Sequence, residues 1–326
     1  LLSLVSRNLL DVCKLYSLLS TIFIITVTVL LTEYLMFYKY KPNEISIDRY
    51  SSQDLLLIKD PEIGWKNRPG IYEFEPFVSG GQDIHVTILN DGRRVTSNQP
   101  YFAESEADVI VIGCSFTFGK AISDHETFAW KLQEMYPHLK ISNYGVPGYS
   151  TYQSLLRLRQ VLPKISKPKI IIYTYIEDHD VRNLARQTWL PKDPRFSLPY
   201  VTLDKNDRLL HAEYKHSNYI SRIFSNILRG LRITDVKKRE VLNQLLNQMQ
   251  DLTTKHGAKL YMMTVLNFKG EPGYYPESIN PNGLSIIDCT SPNQHELIVP
   301  KDGHPNGAQN SYWANCVKQK LQIGYF

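Results

Sequence analysis

The first hydrophobic pattern in the chain is a continuous apolar stretch over residues 15–38, in which Glu33 is the single carboxylate. A helix of about 20 apolar residues spans the hydrocarbon core of a bilayer. Aromatic residues crowd the C-terminal end of the stretch, as they do at a membrane interface. The run is too long for a cleaved signal peptide, and no small-x-small cleavage site follows it. The pattern predicts a transmembrane helix within an N-terminal segment, residues 1–40, and the basic residues on both sides leave its orientation open.

Residues 41–107 have a different pattern, which predicts a polar linker followed by a small β appendage. Asp60–Trp65 has the composition of a turn that leads into an extended segment. Apolar and polar residues then alternate over His85–Leu89, and Asn90-Asp91-Gly92 is a strong hairpin-turn signal. We expect this appendage to cover an edge of the main domain.

From residue 108 to residue 326, apolar strand patterns alternate with helical ones. The predicted strands are Val109–Ile112, Lys140–Tyr144, Lys169–Tyr175, Lys259–Val265 and Ser285–Asp288. The predicted helices are Thr127–Met135, Tyr152–Leu162, Val236–His256 and Ala308–Leu321. This alternation predicts an α/β domain with a parallel sheet and helices on both of its faces. Residues 188–232 interrupt the rhythm, and we interpret them as an insertion that forms a lid or a substrate wall.

Composition and charge narrow the possible functions. The 326 residues are 43% hydrophobic and 21% charged, which is typical of a folded protein. The net charge of +5 is spread along the chain, so a nucleic-acid function has little support. The four cysteines form no Cys-x-x-Cys pair, which argues against a zinc site. Cys289 and Cys316 are able to pair outside the cytoplasm, but the sequence does not establish that they do.

Two distant segments carry side chains suited to nucleophilic catalysis. Ser115 follows the buried strand pattern Val109–Ile112, and ligands bind beyond the carboxyl ends of strands in open α/β sheets. A serine needs a histidine base and a group that orients the histidine. Asp302-Gly303-His304 supplies both near the C-terminus. We therefore predict that these segments meet in one catalytic centre.

Three sequence blocks resemble those of the SGNH (GDSL-like) hydrolases: Gly113–Gly119, Asn143–Thr151 and Asp302–Asn306. The resemblance implies a three-layer α/β/α, flavodoxin-like domain. It also implies that Ser115 is the nucleophile, His304 the base and Asp302 its partner, with Asp288 as an alternative partner. The backbone N–H groups of Ser115 and Gly148 would bind the oxyanion. Pro305 is expected at the first position of the last helix.

The third block of the family normally offers an asparagine to the oxyanion hole. Asp178 lies nearest to that position in this chain, within Tyr175–Asn183, and an ionised carboxylate donates no hydrogen bond. Two alternatives remain: either His179 donates in its place, or the hole consists of backbone groups.

Together with the predicted transmembrane helix, the resemblance implies a membrane-anchored serine esterase or O-acyltransferase that needs no metal or organic cofactor. Its substrates would be ester-linked acyl groups, with acetyl groups of a cell-surface polysaccharide favoured. Its catalytic domain would face the periplasm or the outside of a bacterial inner membrane. One alternative is a catalytically inactive carbohydrate-binding or scaffold protein of the same fold, and another is a lipase or thioesterase.

Overall fold

The computed structural model describes residues 14–28, 31, 55–98, 102–185, 196–214, 235–265, 283–293 and 296–321. The chain divides into two units. The first comprises Leu1–Tyr50 and Ser217–Leu228, and the second comprises Ser51–His216 and Arg229–Phe326. In the first unit, residues 14–28 form a helix whose side chains are exposed. Among the described residues no helix has the length and apolarity to cross a bilayer. The predicted span over residues 15–38 extends outside the described residues.

The second unit contains the following elements in chain order. The strands are β1 (Leu57–Asp60), β2 (Gly64–Asn67), β3 (Gly70–Phe74), β4 (Ile84–Ile88), β5 (Val109–Ile112), β6 (Ile141–Asn143), β7 (Ile170–Tyr175), β8 (Leu198–Leu203), β9 (Leu209–Tyr214), β10 (Lys259–Thr264) and β11 (Ser285–Asp288). The helices are α1 (Ser115–Phe118), α2 (Phe128–Met135), α3 (Thr151–Val161), α4 (Asp178–Asn183), α5 (Asp235–Lys255) and α6 (Gly307–Leu321). Short 3₁₀ turns lie at Glu104–Glu106, Asp124–Glu126 and Leu162–Lys164.

A five-stranded parallel sheet with the order β11-β10-β7-β5-β6 forms the centre of this unit. Counted along the chain, its strands have the order 2-1-3-4-5 of a flavodoxin-like fold. All four residues of β5 are buried, because the sheet is covered on both faces. Val109 and Val111 pack in one core with α2 and α6, whereas Ile110 and Ile112 pack in another with α3 and α5. The prediction of an α/β domain with a central parallel sheet is confirmed.

Capping residues decide where two helices begin. Thr127, predicted as the first residue of its helix, instead caps α2, and its hydroxyl accepts a hydrogen bond from Trp130 N. The prediction that Pro305 starts the last helix is wrong, because α6 begins at Gly307. Asn306 Oδ1 accepts a hydrogen bond from Gln309 N at 3.0 Å, as an N-cap side chain does. Pro305 forms an antiparallel bridge with Ile298 instead.

The segment before the parallel sheet forms two antiparallel hairpins, β1–β2 and β3–β4. The chain turns at Asn90–Gly92, where the turn was predicted, and Gly92 N donates to Leu89 O. Arg94 then bridges both Ile88 and Asn143, which places the end of this segment beside the edge strand β6. The segment is therefore joined to the main sheet close to the carboxyl end of β6.

Part of the predicted insertion over residues 188–232 is described. Residues 198–214 form the antiparallel hairpin β8–β9, and Leu198 and Val201 are buried against the two cores. Residues 188–195 and 215–232 lie outside the described residues. The interpretation of the whole insertion as a lid or a substrate wall therefore stays a prediction.

A disulfide joins Cys289, just after β11, to Cys316 in α6. The 27-residue separation that it closes includes Asp302 and His304. A cross-link over a loop of this length reduces the entropy of the unfolded chain and stabilises a fold by about 3–4 kcal/mol.

We therefore expect the double variant Cys289→Ser, Cys316→Ser to have a free energy of unfolding about 3–4 kcal/mol lower than the wild type. Urea denaturation under non-reducing conditions measures this difference. Cys114→Ser, which removes a buried cysteine outside the bridge, is the control. A reductant should lower the stability of the wild type and of Cys114→Ser, which both keep the bridge, and should leave that of the double variant unchanged.

Candidate active site

Ser115 lies at the carboxyl end of the central strand β5. It is the first residue of α1, and Cys114 before it has an extended backbone. The first N–H groups of a helix have no acceptor inside the helix, so the Ser115 N–H is oriented away from the chain that follows. The serine side chain is only slightly exposed, with 6% of the residue accessible. The sequence therefore folds into a strand–turn–helix junction that fixes both the hydroxyl and the N–H of Ser115.

His304 and Asp302 meet Ser115 from the loop before α6. His304 Nε2 lies 3.0 Å from Ser115 Oγ, and His304 Nδ1 lies 2.5 Å from Asp302 Oδ1. The same Asp302 oxygen accepts a hydrogen bond from the His304 backbone N at 3.2 Å. An aspartate side chain that bonds the backbone two residues ahead forms an Asx-turn. Gly303, with φ +83, makes this turn possible, so the Asp-x-His spacing brings the carboxylate to its own histidine.

The charge of Asp302 is fixed by its surroundings. Burial alone would raise the pKa of this carboxyl group. The hydrogen bond from the His304 ring, the electrostatic interactions with His304 and Lys120, and the His304 N–H lower the pKa to about 2. Lys120 Nζ lies 3.6 Å from Asp302 Oδ2, the oxygen that His304 does not use. Asp302 is therefore ionised at neutral pH and is able to orient the imidazole ring and stabilise its protonated form.

Asp288, the alternative partner for His304, has other contacts. Its Oδ1 accepts hydrogen bonds from Thr264 Oγ1 at 3.1 Å and from Thr290 N at 2.9 Å. These bonds hold the carboxylate at the ends of β10 and β11. The structure therefore pairs His304 with Asp302.

Gly148 lies in the loop that follows β6. Its φ of +83 is a conformation that glycine adopts without strain, and Pro147 precedes it. Tyr149 N donates to Val146 O at 3.3 Å, which closes a β-turn with Pro147 and Gly148 at its centre. Proline followed by a glycine with φ near +80° is typical of a type II turn. The turn sets the direction of the Gly148 N–H, the second predicted oxyanion donor.

The side chains of Asp178 and His179 have partners other than the serine and its base. Among the described residues, no hydrogen bond joins either side chain to Ser115 or His304. Asp178 Oδ2 pairs with Arg182 Nη2 at 3.3 Å. His179 is fully buried, and its Nδ1 lies 2.6 Å from the Tyr173 hydroxyl. Burial, and secondly the charge of Arg182, hold the pKa of His179 well below its usual range. The arrangement favours the alternative in which backbone groups form the oxyanion hole.

Asp180, in the same helix, has a strongly altered acidity. Burial raises its pKa to about 7, and the hydrogen bond from Tyr175 Oη opposes that shift only in part. The unfolded carboxyl group ionises near its ordinary value of 3.8, whereas the folded one stays neutral until about pH 7. The fold therefore loses stability as the pH rises between these two values.

We expect Asp180→Asn to be more stable than the wild type at pH 8 by a few kcal/mol, at most about 4, and to differ little from it at pH 4. The asparagine carbonyl still accepts the bond from Tyr175. Urea denaturation at pH 4, 6 and 8 measures the difference, and Asp207→Asn on the exposed β8–β9 turn is the control. An equal stability difference at all three pH values would contradict the assigned acidity.

Arg94 supports the serine turn, and the sequence patterns did not single it out. Its guanidinium group is fully buried and donates to Phe118 O, Gly119 O and Ile122 O at 3.0, 2.6 and 2.8 Å. Its Nε also pairs with Asp124 Oδ1 at 2.8 Å. These carbonyls belong to the last residue of α1 and to the loop after it, so Arg94 holds the chain that follows the serine.

The sequence patterns did not single out two further residues of the site, Lys120 and Trp65. Lys120 pairs with Asp302, which lies 182 positions later in the chain. Trp65 Nε1 donates to Pro147 O at 2.9 Å, across 82 positions. Long-range contacts of this kind leave no local signal in one sequence. The one hint was the extended segment predicted to follow Asp60–Trp65.

Comparisons with known proteins gave matches among solved structures only. No family model matches the chain, and no curated protein matches it. A G-D-S-L family lipolytic protein from Veillonella parvula is 11% identical, with a TM-score of 0.39, over 66% of this chain and 97% of that one. A catalytic mutant of an acetylxylan esterase from Geobacillus stearothermophilus is 12% identical, with a TM-score of 0.39, over 67% and 94%. A GDSL-like lipase from Bacteroides thetaiotaomicron is 13% identical, with a TM-score of 0.36, over 69% and 93%.

These structures include members of the family that the three sequence blocks resemble. Similarity at this level assigns neither a reaction nor a substrate to the chain. The function proposed below therefore depends on the contacts of Ser115, His304 and Asp302.

Proposed function

We propose that the protein is a serine esterase or O-acyltransferase that acts through Ser115, His304 and Asp302. The observation that carries the proposal is the hydrogen-bonded series from Ser115 Oγ through the His304 ring to Asp302. Nucleophile, base and orienting carboxylate are the three parts that a serine needs in order to attack a carbonyl carbon. Ser115 and Asp302 are 187 positions apart in the chain. A serine with only a structural role would not require a His-Asp pair from so distant a segment.

Each residue has one task in the proposed reaction. Ser115 Oγ attacks the ester carbonyl carbon while His304 Nε2 takes the hydroxyl proton. The carbonyl oxygen becomes an oxyanion, and the N–H groups of Ser115 and Gly148 donate to it. Each such donor contributes roughly 3–4 kcal/mol in the transition state. His304 then returns the proton to the leaving alkoxide, and the acyl group stays on Ser115. Attack by water or by a hydroxyl group, again with His304 as base, frees the enzyme.

The acceptor and the acyl group are the finer parts of the proposal. We infer an acetyl group as the favoured acyl group and a polysaccharide hydroxyl or water as the acceptor. Ser115 is only 6% exposed and the His304 side chain 20%, and the Phe116 ring lies against the His304 ring, with centroids 5.6 Å apart. The limited exposure of both groups supports a short acyl group.

The location of the protein is a further part of the proposal. We infer that residues 15–38 anchor the chain in a membrane and that the catalytic unit lies outside the cytoplasm. Two observations support this inference. The large apolar side chains of residues 15–27 are exposed, among them Phe23 at 68%. The Cys289–Cys316 disulfide is of a kind that persists in oxidising compartments and is rare in the cytosol.

Hydrolysis of p-nitrophenyl esters with acetyl, butyryl and dodecanoyl groups tests the reaction and the acyl length together. We expect kcat/KM to be highest for the acetyl ester and to be lost in Ser115→Ala. A preference for the dodecanoyl ester would favour the lipase or thioesterase alternative. Equal, background-level rates for the wild type and Ser115→Ala on all three esters would favour the inactive binding or scaffold protein.

A sugar acceptor distinguishes transfer from hydrolysis. The acetyl ester is incubated with the protein in the presence of a soluble oligosaccharide, and the products are analysed by mass spectrometry. Acetylated oligosaccharide that forms with the wild type and not with Ser115→Ala would assign transfer. Free acetate alone would assign hydrolysis.

A further inference from the structure

One peptide group of the site, in the loop after β6, accepts a hydrogen bond from a distant side chain. Pro147 and Gly148 share the peptide group at the centre of the turn after β6. The carbonyl of this group belongs to Pro147 and the N–H to Gly148. Because a peptide group is planar and trans, its C=O and N–H bonds point in opposite directions. Any contact that fixes the Pro147 carbonyl therefore also fixes the direction of the Gly148 N–H.

Trp65, in β2, makes that contact. Its indole Nε1–H donates to Pro147 O at 2.9 Å, and the residue is only 6% exposed. The ring also covers Gly148, since a Cβ on that glycine would lie 3.3 Å from Trp65 Cζ2. On the other side of the turn, Tyr149 Oη donates to the Trp65 backbone carbonyl at 2.6 Å. The turn and the strand are thus joined by two hydrogen bonds, one in each direction.

The orientation of this peptide group is the main difference between two common turns. Types I and II differ by about 150° in ψ of the second residue, which rotates the central peptide group and reverses its N–H. The rotation would turn the Gly148 N–H away from an oxyanion. Loss of the hydrogen bond to Pro147 O would remove a direct restraint on this rotation.

We propose that Trp65 is a positioning residue that holds the Pro147–Gly148 peptide group with its N–H directed at the oxyanion; this inference rests on the proposed esterase function. A donor fixed in advance stabilises the transition state without reorganisation during the reaction. The indole bond to Pro147 O also polarises the peptide group, which makes the Gly148 N–H a stronger donor. The β1–β2 hairpin is then part of the catalytic apparatus as well as a cover for the domain.

The test compares two Trp→Phe variants that each lose one indole hydrogen bond. Trp65→Phe removes the donor to Pro147 O and keeps an aromatic ring. Trp130→Phe is the matched control, because Trp130 is also 6% exposed and its Nε1 donates to Glu134 Oε1 at 2.9 Å within α2. We expect Trp65→Phe to lower kcat for the acetyl ester by about 10- to 100-fold while KM changes by less than about threefold. Phosphonylation by a fluorophosphonate should slow by a similar factor, and Trp130→Phe should change neither rate appreciably.

The result that would overturn the inference is a kcat for Trp65→Phe as high as that for Trp130→Phe. A large rise in KM with an unchanged kcat would overturn it as well, since that result would mean a role in substrate binding alone. If Trp65→Phe does not fold, benzothienylalanine at position 65 replaces the ring N–H by sulfur in a ring of nearly the same shape. An unchanged kcat and phosphonylation rate in that variant would then overturn the inference. An inactive wild-type protein would contradict the proposed function itself, which separates the two failures.

Discussion

Ser115→Ala is expected to lower kcat for ester hydrolysis by about 10⁴- to 10⁶-fold, to the level set by binding and by the backbone donors alone. The hydroxyl oxygen is the atom that forms the acyl-enzyme in the proposed reaction. The residue is buried at the start of α1, so loss of one oxygen should leave the fold intact. Steady-state rates with the acetyl ester, together with a circular dichroism spectrum, measure both effects.

Ser154→Ala is the matched control for this prediction. Ser154 is buried in α3, and its hydroxyl donates to Ser150 O at 2.9 Å. This variant should keep nearly the full rate, which would show that loss of a buried serine hydroxyl is harmless elsewhere. A folded Ser115→Ala protein with more than about a tenth of the wild-type kcat would contradict the role of Ser115 as the nucleophile.

Asp302→Asn is expected to lower kcat by about 10⁴-fold. An amide in place of the carboxylate removes the negative charge that stabilises the protonated imidazole. The amide NH₂ is also able to face Nδ1, which would favour the tautomer with the proton on Nε2 and leave no acceptor for the Ser115 proton. The pKa of about 2 means that the wild-type carboxylate is charged throughout the pH range of a usual assay. The loss in the variant should therefore persist from pH 6 to pH 9.

Asp288→Asn is the control that separates the two carboxylates. Asp288 lies at the end of β11, where it accepts bonds from Thr264 and Thr290. We expect its replacement to affect stability more than kcat. If Asp288→Asn lost 10⁴-fold in kcat and Asp302→Asn little, Asp288 would be the partner of His304, contrary to the geometry described above.

The framework of the site could be predicted because its signals are local. Val109–Ile112 is an apolar, β-branched run, and a parallel strand buried on both faces requires such a run. The serine follows it at a junction that the fold class places at the carboxyl edge of the sheet. The Asp-x-His segment carries its own turn, so the pairing of Asp302 with His304 needs no distant residue.

The supporting contacts could not be predicted, because they join residues far apart in the chain. Arg94, Trp65 and Lys120 each contact a loop that is distant in sequence. The residues adjacent to them in the chain carry no motif that would identify these partners. The start of α6 was misplaced for a different reason. Proline is favoured at the first helical position, which predicted a start at Pro305. Asn306 instead supplies the side-chain cap, and the helix therefore begins at the next residue, Gly307.

In the third block, the structure gives the side chains of Asp178 and His179 partners that the sequence did not indicate. Asp178 and His179 were candidates because of their position after β7. Arg182, one turn later in α4, pairs with Asp178, and the Tyr173 hydroxyl is hydrogen-bonded to the His179 ring. The oxyanion donors that remain in the proposal, the N–H groups of Ser115 and Gly148, depend on backbone conformation, which a single sequence indicates only through its glycines.

Labelling of the wild-type protein with a fluorophosphonate, followed by peptide mass spectrometry, tests the central claim most directly. The account predicts one phosphonyl adduct, on the peptide that contains Ser115, and a large loss of labelling in His304→Ala because the base is missing. A folded wild-type protein that forms no adduct, or that forms its adduct at another serine, would contradict it.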